Sequence, residues 1–126
     1  MIFEVTFPLP AKELNPNNNF HWSKIAKYKQ KARIDGWGLA KEMGATSKTF
    51  APDCRINLDI VFYPPDKRIR DQDNMIASMK STLDGLADAL VINDSRFNIH
   101  IRVMQEVRGL VKVTLSEECK LKESLA

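Results

Sequence analysis

Two aspartates, Asp71 and Asp73, stand two positions apart in the run Asp66-Lys67-Arg68-Ile-Arg70-Asp71-Gln72-Asp73-Asn74, just ahead of a segment with helical apolar spacing. In extended backbone, residues i and i+2 point the same way. Carboxylates paired in this manner offer hard oxygen ligands, the kind that Mg²⁺ or Mn²⁺ takes. Without a cation they repel each other, and Arg68 and Arg70 stand close enough in sequence to offset part of that repulsion. Aspartate is also a common helix cap. A D-x-D pair at a helix start therefore carries two readings, metal ligation and capping.

The segment after the pair adds a lysine. At about 100° per residue, Ile76, Met79, Leu83, Leu86 and Leu90 form one apolar stripe. Asp73, Ala77, Lys80 and Asp84 form a second stripe, roughly a quarter turn away. Lys80 is thereby expected on the side of Asp73, where an ammonium could bind phosphate or stabilise developing charge. Asp84, four residues on, is an equally good ion-pair partner for it. A third acid, Asp94, follows in Ile92-Asn93-Asp94-Ser95-Arg96. Its return to the first two is compatible with the spacing but is not fixed by it.

Cations are unevenly spread. Lys24, Lys27, Lys29, Lys31 and Arg33 follow His21 with no acid among them, and Lys67, Arg68 and Arg70 form a second group. Acids gather elsewhere, as at Glu117, Glu118 and Glu123. Such patterning fits a polyanion partner, or simply a solvated helix face. The loop Leu14-Asn-Pro-Asn17-Asn-Asn-Phe20 is rich in turn formers. Its asparagines suit a phosphate or sugar contact, or a plain turn.

These residues need a scaffold, and the pattern predicts one. A chain of 126 residues is one ordinary domain. With 44% hydrophobic and 28% charged residues it can build a core, so disorder is not expected. No apolar run reaches the roughly 20 residues of a membrane span. The N-terminus alternates like a strand and lacks a basic signal-peptide start. Cys54 and Cys119 have no metal-type spacing and are expected as free thiols in a reducing cytoplasm.

Strands are expected at 2–7, with Phe3, Val5 and Phe7 inward, and at 55–63, with Ile56, Leu58, Ile60 and Phe62 inward. Two more are expected at 97–107 (Ile99, Ile101 and Val103 inward) and 110–116 (Val111, Val113 and Leu115 inward), joined as a hairpin near Arg108-Gly109. Helices are expected from Ser23 to about Met43 and from about Gln72 to Leu90. Ile25, Tyr28, Ala32, Leu39 and Met43 would face the core. Trp22 and Trp37 read as packing anchors rather than stacking platforms. The fold class is α+β, a single mixed sheet with two main helices in the order β-α-β-α-β-β. One domain would cover 1–118, with a tail at 119–126.

Asp71-x-Asp73-Asn74, a following lysine, Leu83-Asp84-Gly85-Leu86 and Asn93-Asp94 together resemble the RusA family of Holliday junction resolvases. Pro8-x-Pro10, the asparagine-rich loop and the basic helix are also similar, so the likeness covers nearly the whole chain. Its specific part is residues 66–97. The resemblance implies a RusA-like fold and a homodimeric, Mg²⁺-dependent endodeoxyribonuclease of phage or prophage type. Branched DNA and four-way junctions would be its substrates. It assigns Asp71, Asp73 and Asp94 as essential metal ligands and Lys80 as the catalytic-region lysine. In the family pattern that lysine stands three residues after the asparagine, where this chain has Ala77. Lys80 comes one turn later, with the four-residue step to the next aspartate kept. Asn17, Lys24, Lys27, Lys31, Lys67, Arg68 and Arg70 would hold DNA, and no membrane partner is expected. Two rival readings are a basic nucleic-acid-binding domain with a decayed metal site and a D-x-D transferase holding a nucleotide phosphate. For a transferase the chain is short and has no glycine-rich phosphate loop.

Overall fold

A computed structural model gives the architecture and describes residues 2–68 and 70–119. The elements run β1 (Ile2–Pro8), α1 (Trp22–Glu42), β2 (Cys54–Tyr63), α2 (Gln72–Ser78), α3 (Lys80–Leu90), β3 (Phe97–Val103) and β4 (Leu110–Cys119). Short 3-10 turns at Lys12–Leu14 and Asp94–Arg96 complete them. The class is α+β, with a single mixed four-stranded sheet. No helix among the described residues is long and apolar enough to cross a membrane.

The sheet order is β1-β4-β2-β3. β4 pairs antiparallel with both β1 and β2, while β3 pairs parallel with β2. A parallel pair needs a long crossover, which α2 and α3 supply. Alternation puts Phe3, Val5 and Phe7 of β1, Ile56, Leu58, Ile60 and Phe62 of β2 and Val111, Val113 and Leu115 of β4 on one buried face. Met79, Leu83, Leu86 and Leu90 pack against that face, as their stripe requires. Glu4, Asp59 and other exposed residues line the opposite side.

Several expectations are corrected. β3 and β4 do not form a hairpin, because β4 inserts between β1 and β2. The connection passes the end of β2, where the amide of Met104 donates to the Phe62 carbonyl at 2.9 Å. The amides of Arg108 and Gly109 both donate to the Pro64 carbonyl at 3.1 Å, and Gly109 turns with φ 69°. β3 ends at Val103 and is an edge strand. Of its residues only Phe97 joins the core cluster; Ile99 and Val103 are 43% and 42% exposed. The single second helix is two helices, broken at Met79.

α1 runs nearly as expected, but its buried residues are Gly36 and Ala40, and Met43 is exposed. Trp22 and Trp37 are 74% and 45% exposed, so they do not anchor the core. α1 instead meets α3 through glycines. A Cβ on Gly36 would lie 2.5 Å from the Thr82 carbonyl oxygen, and one on Gly85 would collide with the backbone of Arg33. The two backbones therefore touch where no larger residue fits. Arg33 fixes the crossing with a forked ion pair to Asp88, at 2.6 and 2.9 Å.

The cysteines are also corrected. Cys54 and Cys119 face each other across β2 and β4 and are bonded as a disulfide. β4 thus includes Cys119, the first residue of the expected tail; the rest of that tail, 120–126, lies outside the described residues.

Candidate functional site

Pro64-Pro65 stops β2, and the chain turns around Asp66. The Asp66 carboxylate accepts from the Arg68 amide at 2.9 Å, Arg70 Nη2 at 2.7 Å and Arg68 Nε at 3.2 Å. The Arg68 amide, with the two guanidiniums behind it, holds its proton affinity down to about 2. Arg70 is further tied to the Arg68 carbonyl at 2.9 Å. The two guanidiniums are therefore committed to Asp66 and not to the repulsion between Asp71 and Asp73.

Asp71 caps α2, its Oδ1 accepting from the Asp73 amide at 2.9 Å. Asp73 lies in the first turn, where a carboxylate complements the helix dipole. Both are exposed. The cap uses one Asp71 oxygen, so capping does not consume the pair.

Ser78 Oγ donates back to the Asn74 carbonyl at 2.7 Å, a bond that competes with regular helix. At Met79 the amide donates to Ile76 at 3.0 Å, three residues back, and a new helix starts at Lys80. Asp73 and Lys80 therefore stand on successive helices that meet at Met79. Lys80 Nζ lies 2.7 Å from Asp84 Oδ1 and 2.9 Å from Asp94 Oδ2. Asp84 first, then Asp94, raises the ammonium's pKa, and Lys80 lowers that of Asp94.

Asp94 reaches Lys80 because Val91 turns the chain in the left-handed region at φ 55°. Asn93 then caps the short turn, accepting from the Ser95 amide at 2.9 Å. Arg96 anchors this turn to the start of β2, donating to the Ala51 carbonyl at 2.7 Å and the Cys54 carbonyl at 3.1 Å.

The expected ligands are all carboxylate oxygens, a donor set that suits a hard divalent cation. Their spacing is another matter. Among the described residues, the one group of three His, Cys, Asp or Glu side chains with ligand atoms within 4.8 Å is Cys54, Glu117 and Cys119, whose two sulfurs are bonded to each other. Asp71, Asp73 and Asp94 make no such group, and Asp94 is held by Lys80.

A cleft of about 540 Å³ opens between the asparagine-rich loop and α2, lined by Lys12, Asn17, Arg68, Arg70, Asp71 and Asn74 among others. Four expected site residues, Asn17, Arg68, Arg70 and Asp71, thus line one cleft. The loop is shaped by its other asparagines. Asn15 Oδ1 accepts from the Asn17 amide at 2.9 Å, and Asn18 Oδ1 from the Phe20 amide at 2.8 Å. Lys24, Lys27 and Lys31 lie on α1 and are exposed, as is Lys67 on its loop. Lys31 pairs with Asp35 at 2.7 Å, which engages its charge within the helix. Lys12, Asp66 and Asn74 were missed by spacing. The signal for Asp66 was its place at the head of a basic run.

Fold and site together define a small α+β chain with two exposed carboxylates beside a cleft lined by cations and amides. No family model matches it. An uncharacterized protein of Xylella fastidiosa (strain Temecula1) is 39% identical over 114 residues, covering 89% of this chain and 74% of that protein. The chain belongs to the same family as that protein.

Proposed function

We propose that this protein is a RusA-like, divalent-metal-dependent endodeoxyribonuclease that cuts branched DNA, four-way junctions above all. The observation that carries this reading is the Lys80–Asp94 ion pair at 2.9 Å. It joins two parts of the acidic motif that are remote in sequence and brings the third aspartate back to the start of α3. The cleft lined by Asn17, Arg68, Arg70 and Asp71 supports it independently.

Asp71, Asp73 and Asp94 would hold Mg²⁺ or Mn²⁺, which when bound would supply an activated water and neutralise charge on the phosphate oxygens. Lys80 would offer its ammonium to the phosphate. Lys24, Lys27, Lys31 and Lys67 hold the DNA backbone without reading sequence, as do Arg68, Arg70 and Asn17. A junction needs two symmetric cuts, which a two-fold homodimer supplies. The setting would be cytoplasmic recombination, repair or phage DNA processing.

Synthetic four-way junctions, flaps and duplexes, incubated with and without Mg²⁺, test this. Junction cleavage should require Mg²⁺. Asp73→Asn should lower its rate on the order of 100-fold or more while junction binding persists. An Asp73→Asn protein that cuts at the parent rate sinks the metal assignment. The separation of the three aspartates favours a second reading, a basic nucleic-acid-binding domain. It expects junction binding with no Mg²⁺-dependent cutting.

A further inference from the structure

α1 opens on three consecutive rings, Phe20, His21 and Trp22. His21 caps the helix, its Nδ1 accepting from the Ser23 amide at 3.2 Å. Phe20 is half-buried, with Lys24 Nζ 4.3 Å and Lys12 Nζ 6.0 Å from its ring centre. Trp22 is 74% exposed and meets the His21 ring at 5.4 Å between centroids, tilted by 37°. Its exposure leaves the ring without a core role, and a large aromatic held in water two residues from the lysine-flanked Phe20 ring suits a ligand that is both flat and anionic. Lys12, beside Phe20, also lines the cleft that contains Asn17 and Asp71. The aromatic patch is therefore continuous with the candidate site.

We propose that Trp22, backed by His21 and two residues along the chain from the Phe20 ring that Lys24 and Lys12 flank, is a stacking platform for an unpaired nucleobase of a DNA strand leading into that cleft. Base pairs within a duplex hide their faces against one another. Unpaired or splayed bases present theirs, and aromatic side chains take them up whatever the base. The lysines meet the adjoining phosphates. No acid lies between His21 and Arg33, which favours a polyanion over an apolar protein partner. The inference rests on the DNA reading above and deepens it: it names unpaired bases as the feature that sets branched DNA apart from plain duplex.

The test uses the full chain. A Trp37→Phe variant leaves Trp22 as the sole tryptophan. It is titrated with a single-stranded oligothymidylate and with a blunt duplex of equal length, following emission and anisotropy. The single strand should quench Trp22 and the duplex should not. Trp22→Ala should weaken single-strand binding on the order of tenfold or more while leaving duplex binding unchanged. Trp22→Phe should keep most of the affinity, which separates a stacking role from a structural one. Equal single-strand binding by Trp22→Ala and its parent overturns the platform and leaves the DNA reading standing. A parent that binds a four-way junction but not the single strand overturns the platform alone, and one that binds none of the three overturns both.

Discussion

The carboxylate of Asp66 accepts from the Arg68 amide and from both neighbouring guanidiniums, which brings its pKa from 3.8 to about 2. A group depressed on folding stabilises the folded state above its unfolded pKa and loses that contribution as pH falls through the folded value. Asp66→Asn should therefore flatten the pH dependence of the unfolding midpoint between about pH 4 and pH 2, followed by circular dichroism. A variant with the parent's acid profile would remove Asp66 from this role. The same substitution should free Arg68 and Arg70 toward the cleft. At this scale the sequence was half legible. It placed Asp71 and Asp73 at a helix start and left capping and ligation open, and the cap is present. It could not assign Arg68 and Arg70, because one carboxylate two or four residues upstream competes equally with two downstream.

Among the elements, the contact of α1 with α3 depends on two glycines whose absent side chains let the backbones meet. Gly85→Ala places a methyl against the Arg33 carbonyl, with the Trp37 amide only 2.8 Å away. Neither neighbour is a flexible side chain. The substitution should cost about 3 kcal/mol in stability, read from denaturant midpoints; a loss below about 1 kcal/mol would mean that the helices part freely. The apolar stripes of α3 and the alternation of β1, β2 and β4 were legible because each is fixed by burial on one face. The role of Gly36 was not legible, since helix propensity says nothing about what crosses a helix. The break at Met79 had one faint signal, Ser78, which turns its hydroxyl onto the Asn74 carbonyl. The break leaves Asp73 on α2 and Lys80 on α3, a division that apolar spacing alone does not mark.

For the whole molecule, the element order was legible and the sheet order was not. A short link between two apolar runs fits a hairpin, but the link at 104–109 is long enough to pass one strand end and hydrogen-bonds there instead. The pairing of Cys54 with Cys119 depends on that insertion, so spacing alone could not supply it. A bond closing a loop of 65 residues removes unfolded-state freedom worth up to about 4 kcal/mol in the chain-entropy model. Denaturant unfolding with and without a dithiol, or of Cys54→Ser, should show a loss of that order. No change on reduction would mean that the β2–β4 ladder holds without the bridge.

The position of β4 also bears on synthesis. β1 is made early, yet its ladder partner is the last strand of the described sheet. Until β4 arrives, β1 and β2 have no shared neighbour and their apolar faces cannot close. Pairings between residues so distant in sequence are slow to form. β2 can pair with β3 first, but the nascent chain must carry β1 without a strand partner until nearly all of the described fold has been translated, a window in which a chaperone has the most to protect.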